Sequence, residues 1–222
     1  MALTAKGFLF DLDGTLADSL DVVERAWLAF ARRIGADEEE VKQFIHGKPA
    51  VESIRHFLPD ADNAEIAAQL AWVTEMEIRE SGEVTDLPGA KALLLRLQSL
   101  GIPWAIVTSG SVAIARPRHT AAGLAEPDAW VTADNITRGK PHPEPYLLGA
   151  KKLGLAPQDC FVFEDATAGL LSGLDAGCKV IAVHVPPGTP RTNELALQVS
   201  SLTQLQVDKA ADGTVTLTCP AG

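Results

Sequence analysis

The feature that most constrains the fold is a regular alternation of short apolar runs with longer amphipathic segments. Five runs have the length of a buried strand and are too short for a helix: 7–10, 104–107, 129–131, 161–163 and 180–183. Helical patterns lie between them or follow them, over about 88–100, 111–122, 144–153 and 166–176. This order predicts an α/β protein with an open, Rossmann-like parallel sheet and helices on both faces.

One long stretch interrupts the alternation. From about residue 16 to residue 84 there is no convincing strand, and apolar side chains recur at helical spacing instead. We therefore expect an all-helical cap domain over 17–84, inserted after the first strand of a discontinuous core domain made of 1–16 and 85–222. A lid in this position could close over the carboxyl ends of the strands, where open α/β sheets bind ligands. Two further apolar runs, 205–207 and 214–218, predict a small hairpin at the edge.

The composition excludes several classes of partner. Of 222 residues, 46% are hydrophobic and 22% charged, and the formal net charge is −10. That charge argues against a nucleic-acid partner, because phosphate backbones are held by clustered Lys and Arg. Three scattered cysteines give no disulfide framework, and the first apolar run is too short for a signal peptide or a membrane span. We expect a cytoplasmic protein with no membrane partner, and a monomer by default.

Two aspartates follow the first strand of the predicted sheet. Residues 11–15 read Asp-Leu-Asp-Gly-Thr, and a strand that stops at Asp11 places this carboxylate in the crevice. Because Leu12 separates them, Asp11 and Asp13 take different directions and could do different jobs. Asp, Gly and Thr are also common turn residues, so this segment alone supports a turn and a catalytic site about equally.

Acidic and hydroxyl side chains follow two further strands. Glu164 and Asp165 follow the fourth run, and two acidic clusters at one sheet edge would repel each other unless a cation joined them. Oxygen-only ligands favour Mg²⁺. Thr108 and Ser109 follow the second run at the start of a predicted helix, which is typical of an anion site. Helix capping is the alternative: it explains Thr108 and Ser109 better when they are taken alone, and it accounts for Asp165 but not for its coincidence with Asp11.

A single lysine lies in a proline-rich loop. Lys140 precedes Pro141, Pro143 and Pro145, which stiffen the loop and would hold the lysine in a fixed place. A lysine that reaches the crevice would neutralise Asp11 and a bound phosphate. The alternative is a solvated surface lysine, the usual state of this residue type.

Together these segments resemble the four motifs of the haloacid-dehalogenase-like superfamily. The similarity runs from residue 7 to about residue 183, and the helical insertion lies in the position of that family's cap. More narrowly, residues 107–111, 139–146 and 163–169 look like the small-sugar and polyol phosphatases, including those for 2-deoxyglucose 6-phosphate, hexitol phosphates and glycerol phosphate. The resemblance implies a phosphatase whose substrate is a small phosphorylated metabolite.

The resemblance also implies a role for each motif residue. Asp11 would attack phosphorus and form an aspartyl-phosphate, while Asp13 would protonate the leaving oxygen and then activate water. Mg²⁺ would be held by the side chains of Asp11 and Asp165 and the backbone carbonyl of Asp13. Glu164 would lie behind these ligands and orient a bound water. The phosphoryl oxygens would be held by Thr108, Ser109 and Lys140.

Other activities fit the sequence less well. A haloacid dehalogenase needs neither Mg²⁺ nor Asp13, and phosphonate hydrolases replace that aspartate and use a cap lysine, for which Lys48 is the candidate here. β-Phosphoglucomutase has the same architecture, but its cap arginine and cap histidine fall near Ala50 and Val23. A receiver-like phosphoacceptor module, from another functional class, would need neither the cap nor the Lys140 loop.

Substrate selection is expected in the cap, because the core holds only the phosphate. The best candidate is the loop 44–49, where Gly47 and Pro49 break the helix and His46 and Lys48 could face the leaving group. The alternative is a plain connector between two helices with exposed polar residues.

Overall fold

The computed structural model describes residues 2–46 and 48–220. Its strands are β1 (Ala2–Ala5), β2 (Gly7–Phe10), β3 (Ala17–Asp18), β4 (Thr85–Asp86), β5 (Trp104–Val107), β6 (Ala129–Val131), β7 (Cys160–Glu164), β8 (Lys179–Val183), β9 (Leu197–Val199), β10 (Gln206–Lys209) and β11 (Val215–Thr218). Its helices are α1 (Leu20–Ile34), α2 (Glu38–Ile45), α3 (Ala50–Phe57), α4 (Asn63–Glu80), α5 (Ala90–Ser99), α6 (Val112–Ala121), α7 (Glu144–Lys152) and α8 (Thr167–Asp175). None of these helices is both long and apolar enough to cross a membrane.

The central sheet has six strands in the order β6-β5-β2-β7-β8-β9, and each neighbouring pair is parallel. Side chains of β2 alternate between two apolar clusters: Phe8 and Phe10 pack on the α5 side, and Leu9 packs on the α7 side. Because helices cover both faces, the inner strands are nearly continuous apolar runs. The structure confirms the predicted parallel sheet and its five predicted strands. The sequence does not predict β9, which has only three residues and exposes Gln198.

Helices α1–α4 form the predicted insertion, and their inward side chains make an apolar cluster of their own. Helices α2 and α4 are capped at their N-termini by Asp37 and Asp62, whose carboxylates accept hydrogen bonds from backbone N–H groups three residues on, at 2.9 and 2.8 Å. The expectation of no strand between 16 and 84 is wrong at Ala17–Asp18. That strand pairs with β4 where the chain enters and leaves the insertion, and two residues are too few to show a period in the sequence.

The C-terminal hairpin is present as β10 and β11, which pair antiparallel. A further strand that the sequence does not predict, β1, pairs with the other edge of β11 to complete a three-stranded sheet. This pairing joins the two ends of the chain, and no local pattern signals a contact between segments more than 200 residues apart.

The parallel topology brings the chemically important residues to one edge. Strands β2, β5 and β7 are neighbours and point the same way, so the residues that follow or end them meet at their carboxyl ends. Asp11 follows β2, Thr108 follows β5, and Glu164 ends β7. Lys140 lies in the loop that leads into α7.

Candidate active site

Lys140 is the centre of the site and is buried with only 1% of its surface exposed. Its Nζ donates to Asp11 Oδ1 at 2.6 Å, to Glu164 Oε1 at 2.5 Å and to the backbone oxygen of Val107 at 3.0 Å. Burial alone would lower the pKa of Lys140, but the two carboxylates raise it above its ordinary value, so the ammonium stays charged. The solvated surface position is therefore wrong for Lys140.

Glu164 is fixed on every side. Besides Lys140, its Oε1 accepts a hydrogen bond from the hydroxyl of Tyr146 at 2.6 Å, and its Oε2 accepts from the backbone N–H groups of Asp165 and Ala166 at 3.2 and 3.3 Å. A Cβ at Gly169 would overlap the Glu164 carboxylate, so this helix position requires glycine. Together these contacts fix the carboxylate of Glu164 in the position from which it holds the Lys140 ammonium. The Lys140 ammonium is the charged partner of Glu164, and the prediction that Glu164 lies behind the metal ligands and orients a bound water stays a prediction.

Three carboxylates, those of Asp11, Glu164 and Asp165, offer oxygen atoms that all lie within 4.8 Å of one another. Burial raises the pKa of Asp11 well above its usual value, an effect that Lys140 opposes and that the neighbouring carboxylates reinforce. Burial and Glu164 raise the pKa of Asp165 to about 7. One lysine cannot balance three carboxylates, and this oxygen-only set fits a hard divalent cation such as Mg²⁺. A Cβ at Gly14 would overlap the carboxylate of Asp165, so this position requires glycine if Asp165 is to keep its place beside Asp11.

Thr108 and Ser109 lie at the end of β5 and line the cavity described below. The N-cap of α6 is Ser111, and the residue in that position before α8 is Ala166, so neither helix uses Thr108, Ser109 or Asp165 as its N-cap. Thr108 is buried, and its hydroxyl accepts a hydrogen bond from the N–H of Gly110 at 3.0 Å, which leaves its proton available to an anion. The simple capping alternatives therefore do not explain these residues.

Asp13 lies apart from the Lys140 cluster and has different partners. Its Oδ1 accepts hydrogen bonds from the hydroxyl of Ser19 at 2.5 Å and from Nη1 of Arg118 at 2.8 Å. Arg118 in turn donates from Nη2 to Glu77 of α4 at 2.9 Å. Sequence reasoning missed Arg118 and Glu77, because a single charged residue in an amphipathic helix is usually solvated and only the packing of α6 against α4 reveals this pair.

A cavity of about 390 Å³ joins the core residues to the cap. Asp11, Asp13 and Asp165 lie on its core side, and His46 and Lys48 line it from the cap. Lys48 Nζ lies 3.2 Å from the centre of the Phe44 ring, and His46 Nε2 lies 3.5 Å from Glu24. Burial lowers the pKa of both His46 and Lys48. Gly47, between them, lies outside the described residues.

Comparison with known proteins agrees with this geometry. The family model of the haloacid dehalogenase-like hydrolases matches residues 5–177. Hexitol phosphatase A of Escherichia coli is 57% identical over 96% of this chain and 99% of its own length. Glycerol-1-phosphate phosphohydrolase 2 of Saccharomyces cerevisiae is 35% identical over 82% of this chain and 76% of its own. A solved structure of β-phosphoglucomutase from Clostridium difficile has a TM-score of 0.81 at 25% identity, with 91% of this chain and 93% of that chain covered.

The family model, over residues 5–177, covers the carboxyl edge of the sheet and the cap loop. The four motifs quoted from the sequence all lie within the matched residues. The chain therefore belongs to the haloacid dehalogenase-like hydrolases, in the branch that contains the sugar and polyol phosphatases.

Proposed function

We propose that this protein is a Mg²⁺-dependent phosphatase that hydrolyses phosphate monoesters of small sugars or polyols, with hexitol phosphates as the first candidates. The observation that carries the proposal is the pair of clustered carboxylates Asp11 and Asp165, which line one end of a cavity whose other end is built by the cap, with Asp11 held by Lys140. The similarity to hexitol phosphatase A over nearly the whole of both chains supports the substrate class.

Asp11 is the proposed nucleophile. Its Oδ1 is held by Lys140, and its Oδ2 accepts no hydrogen bond from the described residues, so one oxygen is fixed while the other is available. Attack on phosphorus would break the ester bond and leave the phosphoryl group on Asp11. Asp13 would give a proton to the departing alkoxide and take one from the water that hydrolyses the aspartyl-phosphate.

Lys140, Thr108 and Ser109 are proposed to hold the phosphoryl oxygens. Mg²⁺, when bound, would neutralise charge on the phosphoryl group as it is transferred. The side chains of Asp11 and Asp165 and the backbone carbonyl of Asp13 are the proposed ligands, because Glu164 is committed to Lys140 and Tyr146.

A phosphomutase of the β-phosphoglucomutase type is the second candidate, since the fold is shared. A mutase must bind a second phosphate in the cap. The cap arginine and the cap histidine of that enzyme fall near Ala50 and Val23 here, and these two residues line the cavity with apolar groups. This favours hydrolysis over transfer to a second hydroxyl. A signalling phosphoacceptor is disfavoured by the enclosing cap.

The cap is proposed to act as a separate domain over 17–84 that closes on the core, made of 1–16 and 85–222. Its own apolar cluster supports that division. We further propose that His46 and Lys48 contact the leaving group, because they are the polar cap residues of the loop that faces the cavity. The cytoplasmic location and the monomeric state stay predictions of the sequence.

The test is phosphate release from a panel of hexitol, hexose, deoxyhexose, glycerol and nucleotide phosphates, with and without Mg²⁺. We expect Mg²⁺-dependent release that is greatest for hexitol phosphates and abolished in Asp11→Ala. No release from any substrate, or full activity in Asp11→Ala, would overturn the proposal. His46→Ala and Lys48→Ala should change the order of substrates, and an unchanged order in both would remove the cap loop from specificity.

A further inference from the structure

Arg118 is a buried arginine that joins a catalytic carboxylate to the cap. Only 3% of its surface is exposed, and its guanidinium donates to Asp13 Oδ1 at 2.8 Å and to Glu77 Oε2 at 2.9 Å. Burial alone would lower the pKa of Arg118, but Asp13 and Glu77 raise it, so the side chain remains a fixed cation. A planar guanidinium can hold two carboxylates at once in a defined orientation.

Glu77 ties this arginine to two cap helices. It belongs to α4 and is 4% exposed, and its other oxygen, Oε1, accepts a hydrogen bond from the indole of Trp27 on α1 at 2.9 Å. One carboxylate oxygen is thus used within the cap and the other in the contact between the cap and the core. A buried carboxylate needs such partners, since burial raises the pKa of Glu77 and Arg118 opposes that rise.

The two oxygens of Asp13 have different surroundings. Oδ1 accepts hydrogen bonds from both Ser19 and Arg118, whereas Oδ2 accepts no hydrogen bond from any residue that the structure describes. Asp13 and Arg118 both line the cavity. Two donors on one oxygen fix the rotation of the carboxylate, and the other oxygen is left for proton exchange with a bound group.

We propose that Arg118, held by Glu77 of the cap, is a positioning residue for the acid–base work of Asp13. This inference rests on the proposed phosphatase activity. When the P–O bond to the leaving group breaks, the proton of Asp13 goes to that oxygen. When water attacks the phosphoryl group on Asp11, its proton goes to Asp13 and the bond to Asp11 breaks. Arg118 keeps Asp13 oriented for both transfers while the cap is seated on α6.

The test compares two leaving groups in Arg118→Met. A hexitol phosphate releases an alkoxide, which needs a proton, whereas p-nitrophenyl phosphate releases a stable phenolate, which does not. We expect kcat/KM for the hexitol phosphate, which covers the steps up to transfer of the phosphoryl group to Asp11, to fall by about 10–100-fold, part of the usual contribution of a general acid. We expect kcat/KM for p-nitrophenyl phosphate to fall by less than about threefold, whereas hydrolysis of the shared aspartyl-phosphate, which contributes to kcat, should slow for both substrates. Asp13→Asn should show the same selectivity more strongly.

Arg116→Met is the matched control, because Arg116 lies on the same helix but is exposed and pairs with Glu126. It should leave kcat/KM unchanged for both substrates. Glu77→Gln and Arg118→Lys each weaken the contacts among Asp13, Arg118 and Glu77 without removing them all. Both variants should show a smaller loss of kcat/KM with the same selectivity between the two substrates. They also carry the test if Arg118→Met does not fold.

The outcomes separate this inference from the proposed function. An unmodified enzyme inactive on every phosphate ester refutes the function itself. An active enzyme whose Arg118 variants lose kcat/KM equally for both substrates, or for neither, refutes the positioning role and leaves the phosphatase assignment intact.

Discussion

Removing the hydroxyl of Tyr146 tests how firmly Glu164 is held beside Lys140. Tyr146 and Glu164 are both buried, and the hydroxyl donates to Oε1 at 2.6 Å, the same oxygen that accepts Lys140. Tyr146→Phe keeps the ring and removes one hydrogen bond to a charged acceptor, which is worth about 1.5–3 kcal/mol of folding free energy. In a chain of this size 1 kcal/mol lowers the melting temperature by about 2–4 °C, so we expect a fall of about 3–12 °C.

The assay is thermal unfolding, followed by circular dichroism, with Ser172→Ala as the control. Ser172 is also buried, but its hydroxyl donates to a neutral carbonyl, that of His142, at 2.7 Å, a bond worth about 0.5–1.5 kcal/mol. Tyr146→Phe should therefore destabilise the protein more than Ser172→Ala does. A smaller or equal effect would refute the idea that Glu164 is a charged, tightly held partner of Lys140.

Three further predictions concern the cation, alkaline pH and the cap. Asp165→Asn should raise the Mg²⁺ concentration for half-maximal activity at least about tenfold, because it removes one of three clustered carboxylates. For the same reason it should not lower the melting temperature in Mg²⁺-free buffer. The control is Asp159→Asn at the surface, and an unchanged Mg²⁺ dependence in Asp165→Asn would contradict this prediction. Burial raises the pKa of Cys160 to about 11 and of Cys178 to about 12. Because the unfolded chain loses these protons at lower pH, the free energy of unfolding should fall above about pH 9 by up to about 1.4 kcal/mol per pH unit for each thiol. A free energy of unfolding in urea that stays constant between pH 8 and about pH 10.5 would refute this prediction. Gly139→Ala should raise KM, because the added Cβ would overlap Pro49 of the cap loop; Pro49→Ala in the same chain should restore part of the loss, and equal KM values in all variants would show that this contact does not matter.

Much of the core could be predicted from the sequence because its signals are local. The strands that carry Asp11, Thr108 and Glu164 are continuous apolar runs, and each ends at or next to its polar residue. Parallel pairing then brings those ends to one edge, so the meeting of Asp11 and Lys140 follows from topology and motif together.

What the sequence does not predict depends on contacts between distant segments. Strand β1 exists through its pairing with β11, and the short strand Ala17–Asp18 exists through its pairing with β4. Arg118 carries no local signal, because its role arises only where α6 meets the cap. Tyr146 is similar: its place in the helical pattern after the proline-rich loop is visible in the sequence, but its hydrogen bond to Glu164 is not.

The most direct test of the central claim is chemical trapping of the phosphoryl group on Asp11. The enzyme is quenched during turnover of a hexitol phosphate with Mg²⁺, treated with borohydride, which reduces an aspartyl-phosphate to homoserine, and digested for mass spectrometry. We predict homoserine at position 11 alone, and only when substrate is present. Phosphate release without any homoserine at position 11, or with homoserine at another aspartate, would contradict the account.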